Sequence, residues 1–486
     1  MASLDEIRQE RIGKLQKLKA AGLDPYPIES RRDHELAEVA RKFAILSKRQ
    51  KPIHLVGRVR AIRGQGAISF VDLDDGTGKL QALFKSGPSN KLRANDLDEA
   101  QFKLFSETVD IGDFIEVAGT LFVTKRKEKT ILVSGWRMLA KSLRPLPDKW
   151  HGLQDVEERF RRRYLDTLMA PEVKERFVLR SRLISAIREF LDQADFLEVE
   201  TPMLQPLAGG ATAKPFVTHH QALDIDLYLR VAPELYLKEM LIGGFSKVYE
   251  LGRSFRNEGI DATHNPEFTS IEAYAAYSTP VEQRALVEKL FKTVVKKVFG
   301  QTLPKFVVVT FADLLKKHTL IADLGAISDK DLQLKANQFG IKVEPHEDRE
   351  KILDNIYKKL CRPKLIEPTF IIDYPAACSP LAKHRANKPE LIDRFQLVMS
   401  GVELVNGFAE LNDPLDQRER FSEQEKKRQG GDEEAQPKDE AYLEAMEYGL
   451  PPACGWGLGI DRLLMLLTGT RNIKEVIFFP TLKPRE

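Results

Sequence analysis

The sequence predicts an α+β protein in which a small β-barrel precedes a larger domain of helices and strands. Short alternating strand patterns fill residues 53–143, whereas residues 159–486 combine helical periodicities with further strand patterns. The chain has 486 residues, 42% of them hydrophobic, which is enough for two or three domains with real cores. Residues 144–158, with Pro145 and Pro147, have the composition of a linker.

Composition excludes several classes of protein. No window of about 18 residues is continuously apolar, so we expect no membrane span. The first residues are acidic and carry no apolar segment, which argues against a signal or transit peptide. Cys361, Cys378 and Cys454 are widely spaced without a CxxC pair, as in a reducing cytoplasm, and predict neither zinc nor disulfides. Because the net charge is only +3, nucleic-acid binding would need local basic patches.

Residues 1–52 are predicted as an N-terminal helical segment, with a helix over residues 5–20 that stops at Gly22. Ile12, Leu15 and Leu18 lie near one face. The polar side is basic and carries Arg8, Arg11, Lys14, Lys17 and Lys19. Two interpretations stay open: a face in solvent, or a helix that rests on nucleic-acid phosphates.

Five strand patterns in residues 53–143 predict a small Greek-key barrel. They are HLVGRVRAI, GAISFVDLDD, GKLQALF, DFIEVAGTLFV and KTILVSGWRML. Asp75-Gly76-Thr77-Gly78 is a strong hairpin turn between the second and third patterns. Such strands are typical of the OB-fold, which binds oligonucleotides on one face, although a purely structural module is the alternative. The basic run at residues 125–129 could hold phosphates or be a solvated hairpin.

The larger domain begins with a helical pattern that leads into an extended segment ending near Pro202. Its apolar positions are Val173, Phe177, Ile184, Ile187 and Leu191. Further on, a strand is predicted over residues 228–238, mainly helices over an insertion at residues 281–360, and a polar loop over residues 423–440. His318 and His346 are expected at the surface.

The densest chemistry lies in residues 245–277, which predict two antiparallel strands joined by a long loop at residues 257–266. Side chains alternate along a strand, so Phe268, Glu272 and Tyr274 share one face. Arg256 ends the first strand beside the loop. A hairpin with only a structural role rarely collects an arginine, acids, a histidine and a tyrosine so closely.

Phe255–Gly259 (FRNEG), His264–Thr269 (HNPEFT) and the pair Glu272 and Tyr274 resemble the second motif of class II aminoacyl-tRNA synthetases, in particular their lysine-specific members. The resemblance extends from about residue 5 to Pro484. The helix before Pro202 is similar to the first motif, and residues 455–462 (GWGLGIDR) to the third. The resemblance implies a class II catalytic domain, which is an antiparallel sheet flanked by helices, and a homodimer. It also implies activation of L-lysine by ATP followed by transfer to tRNA(Lys).

The resemblance also implies a lysine site in which acids pair the substrate's ammonium groups, because an unpaired buried ammonium is costly. Glu234 would face the α-ammonium, and Glu272, Glu410 and the Tyr274 hydroxyl the ε-ammonium. The implied lysine-binding residues are Gly210, Glu234, Arg256, Glu272, Tyr274, Asn406, Phe408, Glu410 and Gly457.

The implied ATP site has Arg256 and Arg462 as its catalytic residues. Arg256 would bridge the substrate carboxylate and the α-phosphate, and Arg462 and Phe268 would cover opposite faces of the purine. The implied ATP-binding residues are Arg256, Glu258, His264, Asn265, Phe268, Glu403, Gly459 and Arg462. GxGxG before a helix could also suggest a dinucleotide site, but no acid-ended second strand follows.

Magnesium is the implied cofactor, and the chain departs from the family pattern where it would bind. The family pattern has two carboxylates as magnesium ligands. In this sequence Glu403 supplies one of them, whereas the other position is occupied by Gln396 in place of the usual glutamate. Glu403 is also out of phase with Asn406 and Glu410, so a bulge or a strand twist must bring it into the site if it acts there. Trp456 is bulkier than usual and is expected to alter the pocket edge.

In the barrel, the resemblance assigns Phe70 to stacking on an anticodon base and Gln81 and Glu128 to reading base edges. Two other functions stay open. A paralogue that lysylates a protein would lack the barrel, and a retired synthetase acting as an RNA-binding or regulatory protein would have lost its catalytic residues.

Overall fold

The computed structural model describes residues 3–87, 97–147, 153–319, 321, 324, 326–343, 349–376, 379–430 and 435–485. The chain divides into two compact units, Met1–Leu153 and Gln154–Glu486. Among the described residues, no helix is both long and apolar enough to cross a membrane. His346 and Cys378 lie outside the described residues.

The first unit is a closed barrel accompanied by three described helices. Its strands are β1 (Ile53–Gln65), β2 (Ile68–Asp74), β3 (Lys79–Lys85), β4 (Phe114–Val123) and β5 (Lys129–Ala140), and its helices are α1 (Leu4–Ala20), α2 (Leu36–Lys48) and α3 (Glu99–Thr108). The strands close in the order β1-β2-β3-β5-β4, with β3 and β5 parallel. The predicted barrel, its hairpin turn and helix α1 are confirmed. Helix α2 lies within the predicted N-terminal helical segment, whereas α3 was not predicted.

The second unit carries most of the chain's secondary structure. Its helices are α4 (Val156–Arg161), α5 (Arg163–Met169), α6 (Pro171–Asp192), α7 (Glu234–Ile242), α8 (Pro280–Phe299), α9 (Phe311–Thr319), α10 (Asp329–Gln338), α11 (Arg349–Ile356), α12 (Pro414–Gln429), α13 (Glu440–Glu447) and α14 (Ile460–Thr468). A π-helix at Tyr357–Cys361 and 3₁₀ turns at Arg362–Lys364 and Ile473–Glu475 complete the helical elements among the described residues.

The strands of this unit are β6 (Leu197–Glu198), β7 (Leu204–Gln205), β8 (Phe216–His220), β9 (Ile225–Leu229), β10 (Lys247–Phe255), β11 (Glu267–Ala276), β12 (Val307–Thr310), β13 (Thr369–Pro375), β14 (His384–Arg385), β15 (Lys388–Met399), β16 (Val402–Ala409) and β17 (Ala453–Gly459). The described strands form a large sheet in the order β12-β13-β15-β16-β17-β11-β10-β6, with β14 on β15, and a small sheet in the order β7-β9-β8. Strands β10 and β11 form the predicted hairpin.

Three sequence predictions about local structure need correction. Residues 228–238 are not one strand: β9 ends at Leu229 and α7 begins at Glu234, directly after Pro233. Residues 423–429 are the end of α12, which starts with Asp413 as its N-cap and Pro414 in its first turn, and are not a loop. Residues 156–158, read as linker, already belong to α4.

The large sheet separates two hydrophobic clusters. One contains Ala273, Leu458 and Leu463 among its buried members, and the other contains Tyr274, Phe408 and the helices of the insertion. A buried arginine joins three elements on the first side. Arg180 from α6 donates to Asp461 of α14 (2.6 Å) and to the Thr269 hydroxyl of β11 (2.9 Å), while the Thr269 backbone N–H donates to the other Asp461 oxygen (2.8 Å).

Replacing Asp461 with asparagine should lower the free energy of unfolding of this unit by about 3 kcal/mol, because Arg180 would stay buried without a countercharge. The urea midpoint of the unit's transition measures the loss. Arg182→Met is the control, since Arg182 lies on the same helix, is largely exposed and stands 3.9 Å from Glu175. It should cost about 0.5 kcal/mol or less. Equal losses for the two variants would contradict the role given to Arg180.

Candidate active site

The floor of the candidate site is one face of the central strands β11, β17, β16 and β15. Their register places Glu272 opposite Gly457, Gly457 opposite Asn406, and Asn406 opposite Gln396. Cross-strand partners point to the same side of a sheet, so these positions form one row. The neighbouring row contains Tyr274, Gly455, Phe408 and Arg394.

Glycines on β17 lack side chains and so leave space above the floor of the site. A Cβ built on Gly455 would lie 2.2 Å from the Tyr274 ring and 2.6 Å from Glu410 Oε1, whereas one on Gly457 would meet nothing nearer than Glu272 Cγ at 3.5 Å. Gly210 has a φ of +87° and would bring a Cβ within 3.0 Å of Glu234. Backbone therefore stands in close contact with the acidic side chains at Gly455 and Gly210.

Three carboxylates converge on this floor. Glu234 opens α7, Glu272 lies on β11, and Glu410 follows β16; Glu410 is 1% exposed and Glu234 7%. Glu272 keeps a partial opening to solvent although protein atoms crowd around it. Its Oε2 accepts a hydrogen bond from the Tyr274 hydroxyl at 2.9 Å. The site is thus acidic and mostly dehydrated, with one carboxylate at its opening.

Electrostatics in this cluster favour protonated carboxyl groups. Burial, and then the charge of Glu234, raises the pKa of Glu272 to about 8, although Tyr274 and nearby arginines oppose the rise. Burial also raises the pKa of Glu410, against the opposing charge of Lys238. An ammonium ligand would lower the pKa of these carboxyl groups again, because its positive charge stabilises the carboxylate form.

Arg256 lies beside the same row, at the end of β10. Its guanidinium carbon is 5.2 Å from the centre of the Phe268 ring, and its Nε is buried with no hydrogen-bond partner among the described residues. Burial lowers the pKa of Arg256, while the charges of Glu258 and Glu272 oppose this. A buried cation with a free donor is suited to meet an anionic ligand group.

A second set of groups lies on the loop between β10 and β11. Arg462 Nη2 approaches His264 Nε2 at 2.9 Å, and His264 Nδ1 lies 2.9 Å from Asp261 Oδ2. Burial alone would raise the pKa of Asp261, but hydrogen bonds from Thr263 and His264 lower it to about 2. Asn265 donates to the Glu267 carbonyl at 2.7 Å and leaves its own buried oxygen without a partner in the described structure.

The bulge expected near Glu403 is confirmed. Leu397 pairs with Val405 but Val398 pairs with Glu403, so Leu404 is the extra residue of β16. This shift returns Glu403 to the face that carries Asn406. Gln396 lies on the same face, but its Oε1 accepts hydrogen bonds from Tyr374 (2.6 Å) and Tyr357 (3.4 Å). Both acceptor positions of this amide oxygen are therefore engaged.

The expectation that Trp456 alters the pocket edge is wrong. Trp456 is 1% exposed, belongs to the cluster on the opposite side of the sheet, and donates to Gln283 Oε1 of α8 at 2.9 Å. Alternation along β17 places Gly455, Gly457 and Gly459 on the face of the carboxylates and Trp456 between them on the other.

The predicted nucleic-acid residues come together on the outside of the barrel. Phe70 and Gln81 are half-buried neighbours on β2 and β3, where Phe70 pairs with Leu83 and Asp72 with Gln81. The Thr130 hydroxyl lies 3.0 Å from Gln81 Oε1 and 3.2 Å from the Glu128 carbonyl oxygen. When the Thr130 hydroxyl proton is shared with Gln81 Oε1, the amide N–H groups of Gln81 have no hydrogen-bond partner among the described residues and can donate outward.

Most of the basic side of α1 is used within its own unit. Arg11 donates to Ser142 Oγ (2.6 Å) and to backbone carbonyls, Lys14 pairs with Asp110 (2.7 Å), and Lys17 lies 3.5 Å from Glu107. Docking of the helix on the barrel therefore accounts for these three cations.

Sequence reasoning missed three residues of the site. Lys238 lies between Glu234 and Glu410, Arg394 donates to Asn406 Oδ1 at 2.8 Å, and Tyr374 holds Gln396. Strand alternation from Asn406 and Gln396 would have found Arg394. In the insertion, His318 is half-buried rather than fully exposed, and burial with the charges of Lys364 and Lys317 lowers its pKa.

Gly455→Ala should destabilise the second unit by about 2 kcal/mol or more, because its Cβ would overlap the Tyr274 ring in a packed site. Gly457→Ala is the matched control one step along the same strand face, where the space is open. Urea denaturation of the two variants measures the difference. Similar midpoints would contradict the close packing at Gly455.

Comparison with known proteins agrees with this geometry. Residues 155–483 match the family of tRNA synthetases class II (D, K and N), and residues 53–139 match the OB-fold nucleic acid binding domain. The chain is 45% identical to the lysine–tRNA ligase of Pelotomaculum thermopropionicum over 99% of its length and 96% of that protein. It is 47% identical to the lysine–tRNA ligase of Carboxydothermus hydrogenoformans and 44% identical to that of Moorella thermoacetica, with 99% of each chain covered. The chain therefore belongs to the class II tRNA synthetases of the D, K and N group.

Proposed function

We propose that the chain is a lysine–tRNA ligase, which activates L-lysine with ATP and transfers it to the 3′ end of tRNA(Lys). The observation that carries the proposal is the acidic floor: Glu272, its hydrogen-bonded Tyr274 and the buried Glu410 lie where a side-chain ammonium would need partners. The relatives named above carry the same activity in their names.

Charge selects the amino acid in this proposal. A neutral side chain of similar length would leave Glu272 and the Oε1 atom of Glu410 without a cationic partner, and such sites reject isosteres strongly. An aspartate- or asparagine-specific pocket would need cations or amides at these two positions. Glu234 would take the α-ammonium, with Gly210 beside it, and the Asn406 amide and Phe408 would complete the floor.

Activation needs positioning and charge neutralisation rather than a base, because the carboxylate of lysine is already ionised. A carboxylate oxygen attacks the α-phosphorus, the bond to the β-phosphate oxygen breaks, and pyrophosphate leaves. Arg256, with its unpartnered Nε, would bridge carboxylate and α-phosphate. A terminal ribose hydroxyl of tRNA then attacks the lysyl carbonyl, and AMP leaves.

ATP would lie over Phe268 and Arg462, with Gly459 leaving room for the adenine and with Glu258 and the unpaired oxygen of Asn265 offering acceptors. His264 contacts Arg462 and Asp261, so the positive charge near the outer phosphates would come mainly from Arg462.

Magnesium fits this site through Glu403 and the ATP phosphates, since magnesium is often held by one or two carboxylates plus substrate oxygens. When bound, the ion would neutralise charge on the departing pyrophosphate. Gln396 is a poor ligand in this arrangement because its oxygen already accepts from Tyr374 and Tyr357. We therefore assign the protein's share of the metal site to Glu403.

The tRNA anticodon would bind the barrel face at Phe70, Gln81 and Glu128, with base stacking on Phe70 and outward donors from Gln81. A second copy of the chain would cover the exposed apolar side chains of residues 197–207, giving a homodimer. Leu197, Met203, Leu204 and Leu207 are 49%, 46%, 45% and 36% exposed. Such a ligase would work in the cytoplasm.

Neither alternative function is favoured by a specific observation. A protein-lysylating paralogue would not need the barrel that residues 53–139 match. A retired synthetase would not need the buried acids, whose retention is energetically costly.

The test is amino-acid-dependent exchange of label between pyrophosphate and ATP with a panel of amino acids, followed by aminoacylation of tRNA(Lys). Exchange with lysine alone is expected. Phe70→Ala should raise KM for tRNA several-fold and leave the exchange unchanged, because the barrel takes no part in activation. Lack of exchange with any amino acid at high magnesium would overturn the proposal.

The kcat/KM for lysine should rise between pH 6 and 8 and fall about tenfold for each unit below pH 7. The raised pKa of Glu272, about 8, means that the free site holds a proton that an ammonium ligand displaces. The proton is bound below that pH and lost above it, so acid weakens binding. Exchange rates across this range measure the effect, and Glu272→Gln, which lacks this proton, should show a shallower pH profile than the wild type. If kcat/KM of the wild type did not change with pH over this range, the assignment of Glu272 to the lysine ammonium group would be wrong.

Gln396→Glu should lower the magnesium concentration that gives half-maximal exchange by several-fold, because it adds a carboxylate on the face of Glu403. Titration of magnesium at saturating ATP and lysine measures the shift. Gln333→Glu, an exposed change on α10, is the control for added charge alone. An unchanged titration of Gln396→Glu would contradict the link between Gln396 and the metal.

A further inference from the structure

A lysine of the protein itself lies inside the pocket assigned to lysine. Lys238 is one turn after Glu234 on α7 and is completely buried. Its Nζ lies 2.7 Å from Glu234 Oε1 and 2.5 Å from Glu410 Oε2, and 5.5 Å from the centre of the Phe408 ring. One internal ammonium is therefore shared between two of the three carboxylates of the floor.

The charges of the ionised pocket can be counted from these contacts. Glu234, Glu272 and Glu410 carry three negative charges, and Lys238 carries one positive charge. Two negative charges remain. An α-amino acid with a terminal amine brings two ammonium groups, whereas its carboxylate would pair with Arg256.

We propose that Lys238 is a specificity-determining positioning residue, which engages Glu234 and Glu410 so that the pocket's charge matches an α-amino acid with a second, terminal ammonium group. The inference deepens the proposed function and rests on it. It also fixes geometry: Lys238 occupies Oε2 of Glu410, so the substrate's side-chain ammonium approaches Oε1 and the Glu272–Tyr274 pair.

Among the described residues, the carboxylates that pair with Lys238 are those of Glu234 and Glu410. The titratable and charged groups that face this cluster are Glu234 from α7, Glu272 and Tyr274 from β11, Glu410 after β16, Tyr442 from α13, and Arg256 and Arg230, which act on Glu272. Burial alone would lower the pKa of Lys238, but Glu234 and Glu410 raise it, so the ammonium stays charged. The Tyr442 hydroxyl is buried without a hydrogen bond among the described residues.

Removal of the cation should act on binding more than on chemistry. Lys238→Met keeps the length of the side chain but leaves three carboxylates for two ammonium groups, so one more of them must hold a proton. We expect KM for lysine to rise at least 30-fold at pH 7, kcat to change less than 5-fold, and the midpoint of the pH profile of kcat/KM to move up by about one unit.

Two variants test whether charge is the cause. Lys238→Arg restores a cation and should return the pH midpoint to the wild-type value, even if KM stays raised. Lys292→Met is the matched control: Lys292 also pairs with a glutamate four residues before it, at 2.5 Å from Glu288, but on the exposed side of α8. It should leave both KM and the pH profile unchanged.

The single variant could fail to fold, because it leaves buried carboxylates unpaired. The double variant Lys238→Met/Glu410→Gln removes one charge of each sign and leaves two carboxylates for two ammonium groups. It should fold, prefer lysine over glutamine and methionine, and keep the wild-type pH midpoint. A folded double variant whose midpoint moves by a unit or more would overturn charge matching.

The outcomes separate this inference from the proposed function. The role of Lys238 alone would be overturned by one pair of results. The wild-type protein would show exchange with lysine, and folded Lys238→Met would have the same KM and the same pH midpoint as the wild type. Wild type that shows no exchange with lysine would overturn the proposed function and, with it, this inference.

Discussion

The larger unit depends on burying charged groups on one face of an antiparallel sheet without leaving them unpaired. Each isolated ion taken out of water would cost several kcal/mol, which is comparable to a large part of a domain's net stability. Lys238 between Glu234 and Glu410, and Tyr274 on Glu272, offset part of that cost. Burial raises the pKa of Glu272 to about 8, so a proton on this carboxyl group offsets the remaining cost in the free site, and a cationic ligand can displace that proton.

The other face of the sheet supplies the stability that such a site requires. There Trp456 and its neighbours pack into an apolar cluster, and Arg180 ties α6 to β11 and α14. Because successive side chains of β17 point to opposite faces of the sheet, this one strand contributes to both. Its glycines leave space for the pocket on one face, and Trp456 fills the hydrophobic core on the other. A change on this strand that improves packing on one side therefore has no reason to disturb the acids on the other.

Much of this arrangement could be predicted from the sequence, because it follows from periodicity. The hairpin of β10 and β11, the five-stranded barrel and the bulge at Leu404 all came from side-chain alternation. Lys238 was missed for a physical reason. In a strand, residues four apart are about 13 Å from each other, whereas in a helix they meet on successive turns. Reading residues 228–238 as one strand hid the contact with Glu234, although Pro233 before an acidic residue is a helix-start signal.

Gln396 is a neutral residue in a site where most polar residues are charged, and it changes the electrostatic potential there. It lies in the same cross-strand row as Asn406 and Glu272, three strands from Glu272, or about 14 Å. A glutamate there would accept the same hydrogen bonds from Tyr374 and Tyr357, so the tyrosines do not require an amide. The amide changes the electrostatic potential, because this largely dehydrated face carries one negative charge fewer than it would with a glutamate. Such a face screens charges poorly, so an amide at this position adds no repulsion to the carboxylates of the same face.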